Sequence, residues 1–279
     1  MIPINLALVS EVPDHDPSDV STVAAALQKQ LARDLGPIWN LTGTVDALPT
    51  LEDVPVGYWP MIVRADIEFE GAAGVHQDKD GQPFALITYS DSWSLTASHE
   101  LCEMVVDPIG EHLIAGPSIH PEQGRVEYLV EVCDPSEAAQ FGYTVNDILV
   151  SDFYTPRFFE PVPAPGVRYS FTGALTEPRQ VLVGGYLSWH DPVSDHWWQQ
   201  RWFASEPEFV DLDIFDAREE SVRAIIDRLT PHPELFQGLP REDERLRTAV
   251  AAGETARQST TSKAAALHAQ IADLLEAGG

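Results

Sequence analysis

The chain has 279 residues, 44% of them hydrophobic, enough to bury a sizeable core as one large domain or one domain with an appendage. Seventeen Lys and Arg stand against 44 Asp and Glu, a formal charge of −27, which excludes the basic face that nucleic acid or an anionic membrane requires. Two cysteines make no disulfide framework, no run reaches the ~18 apolar residues of a membrane span, and MIPINLALVSEV lacks the features of a signal peptide, so a soluble cytoplasmic protein is expected.

INLALVSEV (4–12) predicts a buried strand, closed by Pro13 and the turn-rich PDHDPSD. Ser18 or Asp19 is expected to cap a helix with Val20, Val23, Ala24, Leu27, Leu31 and Leu35 at helical spacing, and Gly36-Pro37 should stop it. WNLTGTVDAL (39–48) and YWPMIVRADI (58–67) predict strands. The Gly-rich EGAAGVHQDKDGQP reads as a loop, in which His76 has no partner at a telling spacing, and FALITYSD (84–91) as a shorter strand. A helix capped by Ser92 or Ser94 follows. Strands alternating with helices in this way ask for a mixed sheet with helices packed on it.

From 126 to 187 the pattern turns to short strands: RVEYLVEV, YTVNDILVSDFY, VRYSFTG and RQVLVGGYLS. SWHDPVSDHWWQQRWF (188–203) is a Trp-rich patch, suited to core packing or to a partner-binding surface. EESVRAIIDRL (219–229) predicts an amphipathic helix, and the Ala-rich, polar tail reads as a loosely held helix or a partly disordered tail. The expected organisation is α+β: a domain over 1–204, with a sheet-and-helix half at 1–110 and a β-rich half at 111–204, then a helical region over 205–279.

The chemistry concentrates in TASHELCEMVVDP (96–108). Residues four apart on a helix lie about 40° apart around its axis, so His99 and Glu103 project from one face, a turn apart, where two side chains can grip one cation. Glu100 points to the side of that pair. In zinc peptidases of His-Glu-x-x-His type this glutamate takes the proton from the water that the metal activates. Glu103 in place of a second histidine keeps a ligand but makes it harder and charged, so Mn²⁺ or Fe²⁺ become alternatives to Zn²⁺. The third ligand is sought first at Glu131 and next at Asp134, both in LVEVCDP, and last at Asp107, which precedes Pro108 and is expected to end the helix.

The order of elements before the motif resembles the N-terminal half of the zincin metallopeptidases. More narrowly, SHELCEMVVDP, followed by EVCDP and YTVNDILVSDFY, resembles a pattern in the exordium-like (phosphate-induced) proteins of plants and their bacterial and fungal relatives. The resemblance spans about residues 4–155. It implies a zincin-like fold, a metal held by His99, Glu103 and Glu131, and Glu100 as general base. The reaction expected is hydrolysis of a peptide or other amide, with Tyr154 as a candidate aid to an oxyanion and FALITYSD as the edge strand along which a peptide substrate would lie. The competing expectation is a non-catalytic binding module that holds a protein partner through the Trp-rich patch.

Overall fold

The computed structural model describes residues 3–69, 72–217 and 220–230. The tail expected beyond residue 230 therefore lies outside the described residues. The chain opens with β1 (Ile4–Ser10), whose apolar residues are buried between neighbours on both sides. Helix α1 (Pro17–Lys29) is capped by Asp16, which accepts from the Ser18 N–H, and not by Ser18 or Asp19. Pro17 explains the shift, since its missing N–H and fixed φ suit the first helical position.

Gly36-Pro37 does not stop this helix. The chain widens into π-type turns over Gln30–Leu35 and runs on through α2 (Gly36–Trp39), ending at Asn40 in the left-handed region. Those wide turns relieve the hydrogen bond that Pro37 cannot donate. They also present Gln30, whose side chain joins Ser98 and the backbone of Ser151.

Strands β2 (Gly43–Ala47), β3 (Tyr58–Arg64), β4 (Gly74–Lys79) and β5 (Gln82–Thr88) complete a sheet in the order β2-β1-β3-β5-β4. All its pairings are parallel except β4 with β5. The segment read as a Gly-rich loop is thus largely a strand, joined to β5 by Asp80-Gly81 at φ 56° and 78°. An Asp-Gly pair suits a two-residue hairpin turn, and this was the legible signal. FALITYSD is consequently an interior strand, and β4 is the edge.

Side chains alternate across this sheet. Leu6, Leu8, Met61, Val63, Ala85 and Ile87 pack beneath α1 and α3 (Trp93–Val106), while Ile62, Val75 and Leu86 form a smaller cluster on the other face. His76, next to Val75 and opposite Ala85 in register, therefore faces the helices.

The second sheet is antiparallel throughout, with β6 (Leu113–Pro117), β7 (Arg125–Leu129), β10 (Tyr186–Asp191), β11 (His196–Arg201) and β12 (Glu208–Asp213) in the order β12-β11-β10-β7-β6. YTVNDILVSDFY divides into a hairpin, β8 (Tyr143–Val145) and β9 (Ile148–Val150), turned by Asn146-Asp147 at positive φ. VRYSFTG makes only a bridge between Ser170 and Tyr154, and RQVLVGGYLS becomes a strand only from Tyr186. The expected boundary at 205 falls between two paired strands, β11 and β12.

The Trp-rich segment is the β10–β11 hairpin, with its tryptophans buried or half-buried. Trp189 and Trp197 are buried, and Trp198 and Trp202 pack against the main core. Last comes α4 (Val222–Leu229), capped by the Ser221 side chain. Aromatic bulk needs a hydrophobic setting, and both faces of the second sheet supply one: Trp189 and Trp198 belong to the main core, while Trp197 packs with Leu129 and Ile226 of α4. The architecture is α+β, and no helix among the described residues is long and apolar enough to cross a membrane.

Candidate metal centre

Helix α3 carries its two glutamates inward: Glu100 and Glu103 are buried among Leu101, Cys102 and Met104. Burying carboxylates is costly unless charges or hydrogen bonds meet them, so their surroundings decide what they do. Ser98 fastens the helix, donating to Gln30 Oε1 and accepting from the Ser151 N–H, both at 2.8 Å. Glu103 Oε1 accepts from the Cys133 N–H at 3.1 Å, which turns Oε2 toward His99. His99 Nε2 stands 3.2 Å from Glu103 Oε2 and 3.2 Å from Asp134 Oδ1. Asp134 arrives on the tight turn Asp134–Ser136 that follows β7. Ligand atoms ~2.0–2.2 Å from a tetrahedral cation lie about 3.3–3.6 Å apart, close to the two distances from His99. The sets around it whose ligand atoms all lie within 4.8 Å of one another are His99 with Glu103 and Cys133, His99 with Asp134 and Glu137, and Glu103 with Glu131 and Asp134.

Glu131 converges on the same point, with an oxygen within 4.8 Å of ligand atoms of Glu103 and Asp134. Its carboxylate, however, is in ion-pair contact with Arg223 of α4. The guanidinium also reaches Glu103 Oε2 at 2.6 Å, Asp227 Oδ2 at 3.3 Å and Glu100 Oε2 at 3.8 Å. These ion pairs lack hydrogen-bond geometry. Glu100 Oε2, Glu103 Oε2 and both carboxyl oxygens of Glu131 and of Asp134 have no hydrogen-bond partner. Buried carboxylate oxygens are rarely left so, and a cation is what their arrangement accommodates.

Asp107 is excluded from the set. Its carboxyl accepts from the N–H groups of Gly110, Glu111 and His112, which ends α3 and uses its oxygens. Tyr154 is fully buried, stacked on Phe158 at 4.2 Å, with a hydroxyl that has no hydrogen-bond partner. Burial and the charges of Glu103 and Asp134 push its pKa well up. The tyrosine lining the cavity is Tyr186. That cavity, of about 80 Å³, is also bounded by Gly74, Thr96, His99, Glu100 and Asp227.

Electrostatics bind the cluster together. Burial works to lower the His99 pKa, but the charges of Glu103, Asp134 and Glu100 outweigh it and hold it well above the usual imidazole value. Burial works to raise Glu103, yet Arg223 and His99 keep it well below the ordinary carboxylate range. Asp134 goes the other way, pushed well up by burial and by the negative charge of Glu103. Glu137, at the cavity, is pushed up to about 8, chiefly by burial.

The residues that sequence reasoning missed are His76, Glu137, Tyr186, Arg223 and Asp227. His76 was hidden by its segment's reading as a loop, and Arg223 and Asp227 by lying some 90 residues beyond Glu131 and Asp134. His190 and His196 pair with Glu127, Asp195 and Asp211, and neither joins a trio of converging ligand atoms among the described residues. No family model matches the chain, and neither a curated protein nor a solved structure does.

Proposed function

We propose that the chain is a metal-dependent hydrolase of zincin type, acting on a peptide or another amide. The observation that carries this reading is His99 Nε2 standing 3.2 Å from both Glu103 Oε2 and Asp134 Oδ1, two buried carboxylate oxygens without a hydrogen-bond partner. His99, Glu103 and Asp134 would hold the cation, with Zn²⁺ first and Mn²⁺ or Fe²⁺ suited to a carboxylate-rich set. Glu131, which the resemblance would make the third ligand, is the partner of Arg223 and acts from behind. A bound divalent ion supplies Lewis acidity, polarising a carbonyl and acidifying water.

The chain's own residues do the rest. Glu100 lines the cavity beside His99 and accepts a proton on its carboxylate, then returns it to the leaving amine. β4 pairs only with β5, so its outer edge offers unpaired backbone groups to an extended peptide, and Gly74 at its start borders the cavity.

Elemental analysis and a mixed peptide library read by mass spectrometry test this reading. The wild type is expected to carry zinc, manganese or iron and to cleave amides. Glu100→Gln should keep the ion held at His99 and lose turnover by roughly 10²–10⁴-fold, while His99→Ala should lose that ion. Full turnover in the Glu100 variant would refute the mechanism.

A further inference from the structure

We infer that the cluster contains a second cation site, formed by His76 Nδ1, Glu100 Oε2 and Glu103 Oε2, with Glu103 shared between two ions. It rests on the hydrolase reading for the first ion. The His76 side chain is 1% exposed. Its Nε2 lies 3.1 Å from the Asp107 backbone carbonyl, a group that only accepts, so the ring hydrogen sits on Nε2. In the neutral ring Nδ1 then presents a lone pair, and that lone pair faces Glu100 Oε2 at 3.6 Å and Glu103 Oε2 at 3.8 Å.

Three electron-rich atoms thus converge and all three lack a hydrogen-bond partner, with the Arg223 guanidinium 2.6 Å from Glu103 Oε2 and 3.8 Å from Glu100 Oε2 as the one cation beside them among the described residues. Protonating the ring does not mend this, because both distances exceed hydrogen-bond length. A cation between the three does. A histidine whose second nitrogen is held by a backbone carbonyl also has the orientation that metal ligands show. The three ligand atoms lie within 4.8 Å of one another.

Charge points the same way. Glu100, Glu103, Glu131, Asp134 and Asp227 are all buried around a single guanidinium, that of Arg223. One guanidinium cannot balance five buried carboxylates, so the remaining charge is met by protons or by cations in their place. Two ions sharing a carboxylate stand ~3.5–4 Å apart, the separation of two-metal sites. The second ion would engage Glu100 Oε2 and so restrain the proton acceptor that the hydrolytic reading uses.

Manganese alone is the probe. Metal-free full-length protein is titrated with Mn²⁺ by calorimetry, and its electron paramagnetic resonance spectrum is recorded at saturation. Two ions per chain and the spectrum of a coupled pair are expected. His76→Ala should bind one ion and give the six-line spectrum of an isolated one. A single uncoupled ion in the wild type, lost in His99→Ala, overturns the second site and leaves the hydrolase reading standing. Two ions retained by a folded His76→Ala also overturn it, and no binding by the wild type sinks both readings. If His76→Ala fails to fold, the wild-type spectrum decides alone.

Discussion

Gly74 shows how narrowly the site is drawn at the scale of single residues. A Cβ at this position would stand 2.5 Å from Thr96 Cγ2 and 2.7 Å from Glu100 Oε1, closer than real Cβ contacts come. Gly74→Ala must therefore push the Glu100 carboxylate aside while leaving His99, Glu103 and Asp134 untouched. Retained metal with at least a tenfold fall in turnover is expected, read by elemental analysis and steady-state kinetics. An unchanged rate would mean that Glu100 does not depend on its present position. At this scale the sequence was informative where local geometry sufficed. The four-residue spacing of His99 and Glu103 follows from helical periodicity, and EVCDP drew attention to Glu131 and Asp134, whose carboxylates the structure brings close to Glu103. What spacing could not rank was Asp134 against Glu131, because the order depends on Arg223, which engages Glu131 from another helix.

Among elements, α4 does the most for the site with the fewest residues. Ser221 caps it, the Arg223 N–H bonds the Gly110 carbonyl at 3.1 Å, and Gly110 adopts φ 72°, where a Cβ would meet the Arg223 Cβ at 2.8 Å. Arg223→Met should remove the one guanidinium facing Glu103, Glu131 and Asp227, and breaking such buried pairs costs about 3–5 kcal/mol. Denaturant melts should show that loss in metal-free protein and a partial recovery with saturating Zn²⁺, since the ion then compensates the same oxygens. Equal losses with and without Zn²⁺ would detach Arg223 from the metal centre. The element order up to residue 107 was largely legible from apolar runs, with β4 as the exception. Its polar alternation, Gly-Val-His-Gln-Asp-Lys, carries little hydrophobic signal because one side of the strand faces buried carboxylates and not a greasy core. For the Trp-rich hairpin the sequence left core packing and a partner surface both open, as bulky aromatic runs do not reveal whether another layer will cover them.

For the whole molecule, a single core runs from Leu6 beneath the first sheet to Trp189 in the second, and the acidic cluster lies within it. Stability of the metal-free protein should accordingly depend on pH. His99 is held well above its ordinary value of 6.5, against the pull of burial, by Glu103, Asp134 and Glu100. Its contribution is complete below that value and fades as pH rises through the raised one. Asp134, pushed up by burial and by Glu103, holds its proton when folded, so it too favours the folded state less as pH climbs above the carboxylate range. Glu103, depressed chiefly by Arg223 against burial, contributes above its ordinary 4.5 and is lost only in acid. The melting temperature of metal-free protein should fall as pH is raised above 6.5, the ordinary imidazole value, toward the raised value of His99. Saturating Zn²⁺ should flatten the slope, and parallel slopes with and without it would argue that no cation replaces these protons.

The placement of Arg223 also bears on how the protein comes into being. Every other member of the cluster except Asp227 is translated by residue 137, whereas the compensating guanidinium emerges only after 222 residues have been made. A nascent chain halted before that point would have to keep its carboxylates wet or protonated, so the pocket is expected to close last, when the final described helix clears the ribosome.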